Sequence, residues 1–254
     1  MSYQIHHLPV VDSTNTYLRS LVDAPEWTCV TAERQTAGRG RQNRHWYSEP
    51  GEGLYLSVLL RPVERLSPLP LISLAAAIAV AETVINLGIT GVDIKWPNDL
   101  LIVDRKMSGI LVEATGLADG GHPRVIVGIG VNLNHRSFPP DLEGRATSLL
   151  NQLGRETKPE RFRDQLLERL SEWYGHWRSG KVEEILSRWL ALSTYGHNRE
   201  VTVTQGNKVI TGRTNGLTRD GALLLLTADG RVETIVAGDV TSLRPVAPSM
   251  TPMK

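Results

Sequence analysis

Apolar positions recur with three different rhythms along this chain. Up to about residue 150, short runs rich in branched residues predict strands at 55–60, 92–96, 100–103, 109–113 and 125–133. The flank of Cys29 over 28–30 reads as a further buried strand. Between the strands, 68–81 is almost wholly apolar and is closed by Glu82. That run falls short of the roughly 20 residues a membrane helix needs, so it predicts a buried core helix. Ser67 is its expected N-cap, Pro68 its first position and Gly88, just beyond Leu87, its stop. The pair Asp104-Arg105 between two apolar runs predicts a tight hairpin turn.

The second rhythm is helical. Thr157-Lys158-Pro159-Glu160 has capping-box spacing, and Phe162, Leu166, Leu170, Trp173 and Trp177 follow at helical intervals. These tryptophans read as packing residues rather than a cofactor box. A shorter helix is expected over 182–192. From Gly196 the period shortens to two: Val201 and Val203, Val209 and Thr211, Leu224 and Leu226, then Val232, Thr234 and Val236. Turn signals at Gln205-Gly206-Asn207, Asn215-Gly216, Asp220-Gly221 and Asp229-Gly230 divide these segments, which predicts a small five-stranded β module. The pattern divides the chain into a unit over 1–195, a β unit over 196–246 and a frayed tail over 247–254.

Composition narrows the classes. At 254 residues, with 41% apolar and 22% charged positions, the chain suits one or two globular domains. A net charge of +1 argues against a general nucleic-acid binder. One cysteine excludes an internal disulfide and fits a reducing, cytoplasmic compartment. The N-terminus lacks the pattern of a secretory signal. The seven histidines show no metal-ligand spacing, so no protein-built metal site is expected.

Against that near-neutral background, 38–46 stands out: Gly38-Arg39-Gly40-Arg41-Gln42-Asn43-Arg44-His45-Trp46. Glycines let backbone N–H groups approach an anion, and arginines offer planar forks for carboxylate or phosphate. A tryptophan offers a face for a nucleobase. By itself the segment fits a site for a nucleotide and an acid, a solvated basic loop, or a patch for nucleic acid.

Four further segments accompany it. They are Asp12-Ser13-Thr14-Asn15, Lys95-Trp96-Pro97-Asn98-Asp99-Leu100, the stretch from Arg105-Lys106-Met107-Ser108-Gly109 to Glu113, and Gly128-Ile129-Gly130-Val131-Asn132-Leu133-Asn134. In this order and spacing the set resembles biotin protein ligases. The resemblance extends over essentially the whole chain, including the end of the β module, Gly238-Asp239-Val240-Thr241-Ser242-Leu243-Arg244-Pro245. It implies an α+β fold: a catalytic domain with a mixed or antiparallel sheet flanked by helices, then a small SH3-like β-barrel. It also implies an activity: biotin and ATP, with Mg2+, give biotinyl-5′-AMP, and a lysine of a biotin carboxyl carrier domain then takes the biotin.

The resemblance implies residue roles as well. Ser13, Thr14, Asn15 and Gln35 match contacts to the biotin ring, and Ser13 or Thr14 can equally cap a helix. Gly38, Arg39 and Gly40 match the segment that closes over biotin and the adenylate, with Gly109 and Gly128 lying against biotin. Arg41 matches the residue that retains the adenylate. Arg39, Arg41, Arg44 and Lys106 are the candidate cations where carboxylate meets phosphate. Trp46, Asn98, Gly130 and Asn132 match nucleotide contacts. Asp99 is the candidate to orient the acceptor lysine and take its proton, its alternative being an Asx turn. Arg41, Lys106 and Asp99 are thus the expected catalytic residues.

Asp12-Ser13 arrives too early for an N-terminal helix-turn-helix, which needs roughly 60 residues. Ligase activity without DNA or membrane binding is therefore expected, in a monomer or a side-by-side sheet homodimer. The rival readings are a lipoate-type ligase on a related fold and a nucleic-acid module.

Overall fold

A computed structural model describes residues 3–62, 67–115 and 123–242, and their strands fall into two sheets. The larger contains β1 (Gln4–Val11), β2 (Thr28–Gln35), β3 (Gly53–Leu60), β4 (Val92–Lys95), β5 (Asp99–Ile102), β6 (Arg105–Thr115) and β7 (Arg124–Asn132). Their spatial order is β1-β2-β3-β7-β6-β5-β4. Only β1 and β2 run parallel, and the other neighbours are antiparallel. The mixed α+β architecture is as expected, although β1 gave no clear strand pattern.

Two-residue alternation gives this sheet two unlike faces. On β7, Val125, Val127, Ile129 and Val131 join the main core. Ile126, Gly128, Gly130 and Asn132 occupy the opposite face. The core face is covered by α2 (Leu71–Ile85), α4 (Pro159–Arg178) and α5 (Val182–Ala191), while α3 (Leu149–Leu153) follows β7. Helix α2 is apolar all round because the sheet lies on one side and α4 and α5 on the others. The opposite face carries the short α1 (Thr14–Ser20), which packs Leu18 against Val30, Leu59 and Ile126. The rest of that face is left open as a cleft.

Helix starts and turns differ locally from expectation. Helix α2 begins at Leu71 after a turn, and Pro70 holds its N-cap position. Ser67 instead donates to the Trp177 carbonyl at 2.7 Å, tying the approach of α2 to α4. The Thr157 capping box does not form, and Lys158 holds the N-cap position of α4. Asn134 has already taken the Thr157 backbone, its Nδ2 donating to Thr157 O at 3.0 Å and its Oδ1 accepting from Thr157 N at 2.9 Å. The β5–β6 turn is Val103-Asp104, with φ of 49° and 59°, one residue earlier than predicted.

The second sheet contains β8 (His197–Gln205), β9 (Lys208–Leu217), β10 (Leu223–Leu226), β11 (Val232–Ile235) and β12 (Asp239–Ser242). It is antiparallel throughout, ordered β11-β10-β9-β8-β12. Val201 and Val203 are buried as the alternation suggests. In β9 to β11 the phase is shifted: Ile210, Leu223, Leu225 and Ile235 are buried, whereas Val209, Leu226, Val232 and Val236 are exposed. Asn215-Gly216 is no turn. It lies inside β9 beside a break in register with β10, where Gly216 has φ of 89°. Trp96 Nε1 donates to Gly221 O at 3.0 Å and joins the two sheets. The predicted tail after Pro245 lies outside the described residues.

Candidate active site

The open face of the larger sheet, the 38–46 loop and strands β8 and β12 enclose a cleft of about 960 Å³. That is the scale of a pocket for two small substrates. At one end, Thr14 binds Gln35 Oε1 through its amide at 2.9 Å and its hydroxyl at 3.1 Å. Ser57 Oγ lies 2.8 Å from Thr14 Oγ1 and 2.5 Å from Asn15 Oδ1, and Gln35 Nε2 donates to Ser48 at 3.3 Å. Ser13 occupies the N-cap position of α1 without making a capping bond through its side chain. Its expected cap is therefore absent, and its hydroxyl borders the cleft.

Asn15 leads to a carboxylate that sequence reasoning did not single out. Its Nδ2 donates to Glu113 Oε2 at 2.8 Å. Arg19 and Arg39 approach Glu113 Oε1 at 2.7 and 3.6 Å. Burial pushes the Glu113 pKa up, but the bonds from Asn15 and Arg19 outweigh it and hold the group below its usual value.

The glycine–arginine loop is internally bonded. Trp46 N donates to Gly38 O at 2.8 Å and Gly40 N to Arg44 O at 2.7 Å. A Cβ at Gly38 would meet Trp46 O at 2.9 Å, so the close turn needs glycine there. The three arginines diverge. Arg39 reaches Thr16 at 3.3 Å as well as Glu113. Arg41 reaches Asn98 Oδ1 and Gly238 O, both at 3.5 Å. Arg44 pairs with Asp239 on β12. Burial pulls the Arg41 guanidinium below its usual pKa, with Asp239 and Asp99 acting the other way.

Lys106 and Asp99 meet across the β5–β6 hairpin, with Nζ 2.7 Å from Oδ1. The same ammonium lies 5.4 Å from the Trp46 ring. The Lys106 backbone is fixed from both sides, its amide donating to Arg145 O at 2.8 Å and its carbonyl accepting from Thr147 N at 2.9 Å. Asn132 Nδ2 donates to the Thr147 carbonyl at 3.0 Å and to Lys106 O at 3.4 Å. Its amide nitrogen thus braces Lys106, while the residue also borders the cleft. Asn98 Nδ2 donates to Ile110 O at 2.6 Å, leaving Oδ1 toward Arg41.

The glycines of β6 and β7 lie under protein side chains that border the cleft. A Cβ on Gly128 would run into the Asn15 amide, and one on Gly130 into the Trp46 indole. At Gly109 it would meet Trp46 Cζ3 at 2.9 Å and Lys106 Cε at 3.2 Å. These positions admit protein side chains close against the strand backbone and also line the cleft. Tyr47 and Phe138 continue the wall beyond Trp46, and the buried His135 ring stacks on Phe138 at 5.2 Å.

Every predicted position except Gly38 thus lines one cleft, which Lys95, Arg199 and Asp239 also line, with Glu113 bonded to Asn15 at its edge. Lys95 lay within a motif already noted, and Asp239 within the closing segment of the β module. Arg199 gave no signal in the sequence.

The comparisons agree with this geometry. Residues 7–132 match the Biotin/lipoate A/B protein ligase family, and residues 196–241 match the Biotin protein ligase C terminal domain. The biotin–[acetyl-CoA-carboxylase] ligase of Paracoccus denitrificans is 31% identical, over 90% of this chain and 96% of its own length. The bifunctional ligase/repressor BirA of Escherichia coli is 34% identical, over 92% of this chain and 72% of its own. The solved biotin protein ligase of Aquifex aeolicus, in complex with biotin and ATP, superposes with a TM-score of 0.82. It is 32% identical and the match covers 95% of this chain and 99% of that one. A two-sheet ligase fold with a cation-rich cleft is the class so defined. The chain belongs to the biotin protein ligase family.

Proposed function

We propose that this enzyme couples ATP to the attachment of biotin to a lysine of a biotin carboxyl carrier domain, such as that of acetyl-CoA carboxylase. The observation that carries the reading is the cation set around Lys106, at the meeting point of a polar pocket and an aromatic wall. In the first step a biotin carboxylate oxygen attacks the α-phosphorus of ATP. The α–β phosphoanhydride bond breaks, pyrophosphate leaves and biotinyl-5′-AMP forms. Two anions must approach, so fixed cations lower the barrier more than covalent help would.

Ser13, Thr14, Asn15 and Gln35 would hold the ring end of biotin, with Gly38 to Gly40 folding over it beside Gly109 and Gly128. Lys106 and Arg39 would meet the carboxylate, and Arg41, Arg44 and Lys106 the phosphates. Trp46, Gly130, Asn98 and Asn132 would frame the nucleotide. The carboxylates of Asp99, Asp104 and Asp239 are each engaged by a lysine or arginine. Mg2+ would therefore enter with ATP as part of the substrate, held by phosphate oxygens and water.

In the second step the acceptor amine attacks the mixed anhydride, the bond to AMP breaks and the amine loses a proton. Asp99 is the proposed proton acceptor once Lys106 turns to the substrate anions. The C-terminal match is specific to biotin ligases, which favours biotin over lipoate. Among the described residues no helix is long and apolar enough to cross a membrane. A cytoplasmic monomer or edge-to-edge sheet homodimer is the proposed setting. ATP–pyrophosphate exchange with biotin as the only acid tests the function. Exchange with biotin and none with lipoate is the expected result, and the reverse preference overturns it.

A further inference from the structure

Lys95 is the last residue of β4 and lies opposite Asp99 in the β4–β5 ladder. It lines the cleft, half-buried, but the neighbouring carboxylates are taken. Lys106 holds Asp99 at 2.7 Å, and Arg44 holds Asp239. Arg199 holds Asp93 at 3.6 Å and Asp104 at 3.3 Å. Among the described residues no carboxylate pairs with the Lys95 ammonium. Its nearest recorded partner is the ring of Tyr195, 6.0 Å away, which the Arg199 guanidinium covers at 3.9 Å. Burial lowers the Lys95 pKa, with Asp99 opposing the shift. A half-buried ammonium without a counter-ion is costly, and an incoming anion removes that cost.

The sheet order supplies a direction. Asn15 and Gly128 meet over β7, Lys106 projects from β6, Asp99 begins β5 and Lys95 ends β4. The acid pocket and Lys95 therefore lie on opposite sides of Lys106 across the sheet. In phosphoryl or nucleotidyl transfer the attacking and leaving oxygens are roughly in line through phosphorus. An acid arriving from the β7 side expels its leaving group toward β4.

We propose that Lys95 is a phosphate-binding residue of the adenylation step, receiving the β- and γ-phosphates of ATP and holding pyrophosphate as it departs. The proposal rests on the biotin–ATP reading of the cleft. Lysine suits the task as a compact point charge.

The experiment separates the two half-reactions in Lys95→Met and Lys95→Arg. For Lys95→Met we expect the KM of ATP, and of pyrophosphate in the reverse direction, to rise at least about tenfold, with the KM of biotin changed less than about twofold. Transfer from purified biotinyl-5′-AMP to an acceptor domain should keep the wild-type rate, and Lys95→Arg should recover most of the exchange. Equal losses in exchange and transfer, or unchanged nucleotide constants, overturn the proposal. A second measurement uses the unmutated chain. Reductive methylation of the Lys95 peptide, read by mass spectrometry, should be suppressed by inorganic pyrophosphate alone, and equal labelling with and without it overturns the role. A wild-type protein inert in exchange yet protected by pyrophosphate would defeat the ligase reading while leaving the anion site standing.

Discussion

Lys106 Nζ sits 2.7 Å from Asp99 Oδ1, so the proposed activating cation and the proposed proton acceptor neutralise each other. Substrate anions must compete Lys106 away before Asp99 is free, which orders the two steps. Lys106→Gln should lower ATP–pyrophosphate exchange by ~100-fold or more, the scale of losing one preorganised charge-stabilising group. Asp99→Asn should change exchange less than about tenfold but slow transfer from preformed adenylate by ~100-fold, as for loss of a general base. Equal damage to both half-reactions in both variants would reject the division of labour.

Trp46 rests where a side chain on Gly130 would be. Gly130→Ala should push the indole off β7 and raise the KM of ATP by ~10-fold, equivalent to about 1.4 kcal/mol. The KM of biotin, whose proposed pocket lies at α1, should be nearly unaffected. An unaltered ATP constant would show that the indole does not frame the nucleotide.

His135 predicts an acid-sensitive fold. Its ring is 1% exposed, and burial pushes its pKa from 6.5 down to about 4. Between those values the unfolded chain takes up a proton that the native chain refuses. The contribution is therefore fully present above pH 6.5 and fades as pH falls toward 4, by at most about 3 kcal/mol. Urea unfolding of wild type and His135→Phe at pH 7.5, 5.5 and 4.5 should show the variant losing less stability on acidification. Parallel curves would remove His135 from the account.

Cys29 is fully buried and its thiol is pushed up to about 12. The thiolate, not the thiol, reacts. Native protein at pH 8 should resist maleimide labelling while urea-unfolded protein labels quickly, and catalysis should survive the reagent. Rapid native labelling with loss of activity would contradict the reading of Cys29 as a packing residue.

Much of this was legible because the cleft-facing side chains come from short contiguous segments. The 38–46 loop, Lys95 to Asp99, and Gly128 to Asn132 each announce unusual residue types on their own. What was hidden depends on which groups meet. Thr157 had the right neighbours for a capping box, but Asn134, 23 residues earlier, took its backbone. Ser67 had the chemistry of an N-cap, yet the Trp177 carbonyl claimed its hydroxyl. The arginines were visible as charge, but their division among Glu113, Asn98 and Asp239 follows from sheet order. In β9 to β11 both neighbours in Val209-Ile210 and in Leu223 to Leu226 are apolar, so alternation fitted either phase, and only pairing such as Ile210 opposite Val203 decides which faces inward.

Arg41 and the Gly238 carbonyl that it reaches are separated by 197 positions in the chain. Protein synthesis runs from the N-terminus, so the loop at 38–46 emerges early and two of its anchors emerge late. Until β12 has been made and has paired with β8, Arg41 has only Asn98 and Arg44 only Gln42, and the contacts to Gly238 and Asp239 are missing. A half-made chain can already contain the acid pocket, Lys106 and Asp99 without a fastened loop above them. Under the proposed chemistry the intermediate is a mixed anhydride that acylates amines once released. The loop above the cleft is fastened last, by the final strand of the second sheet.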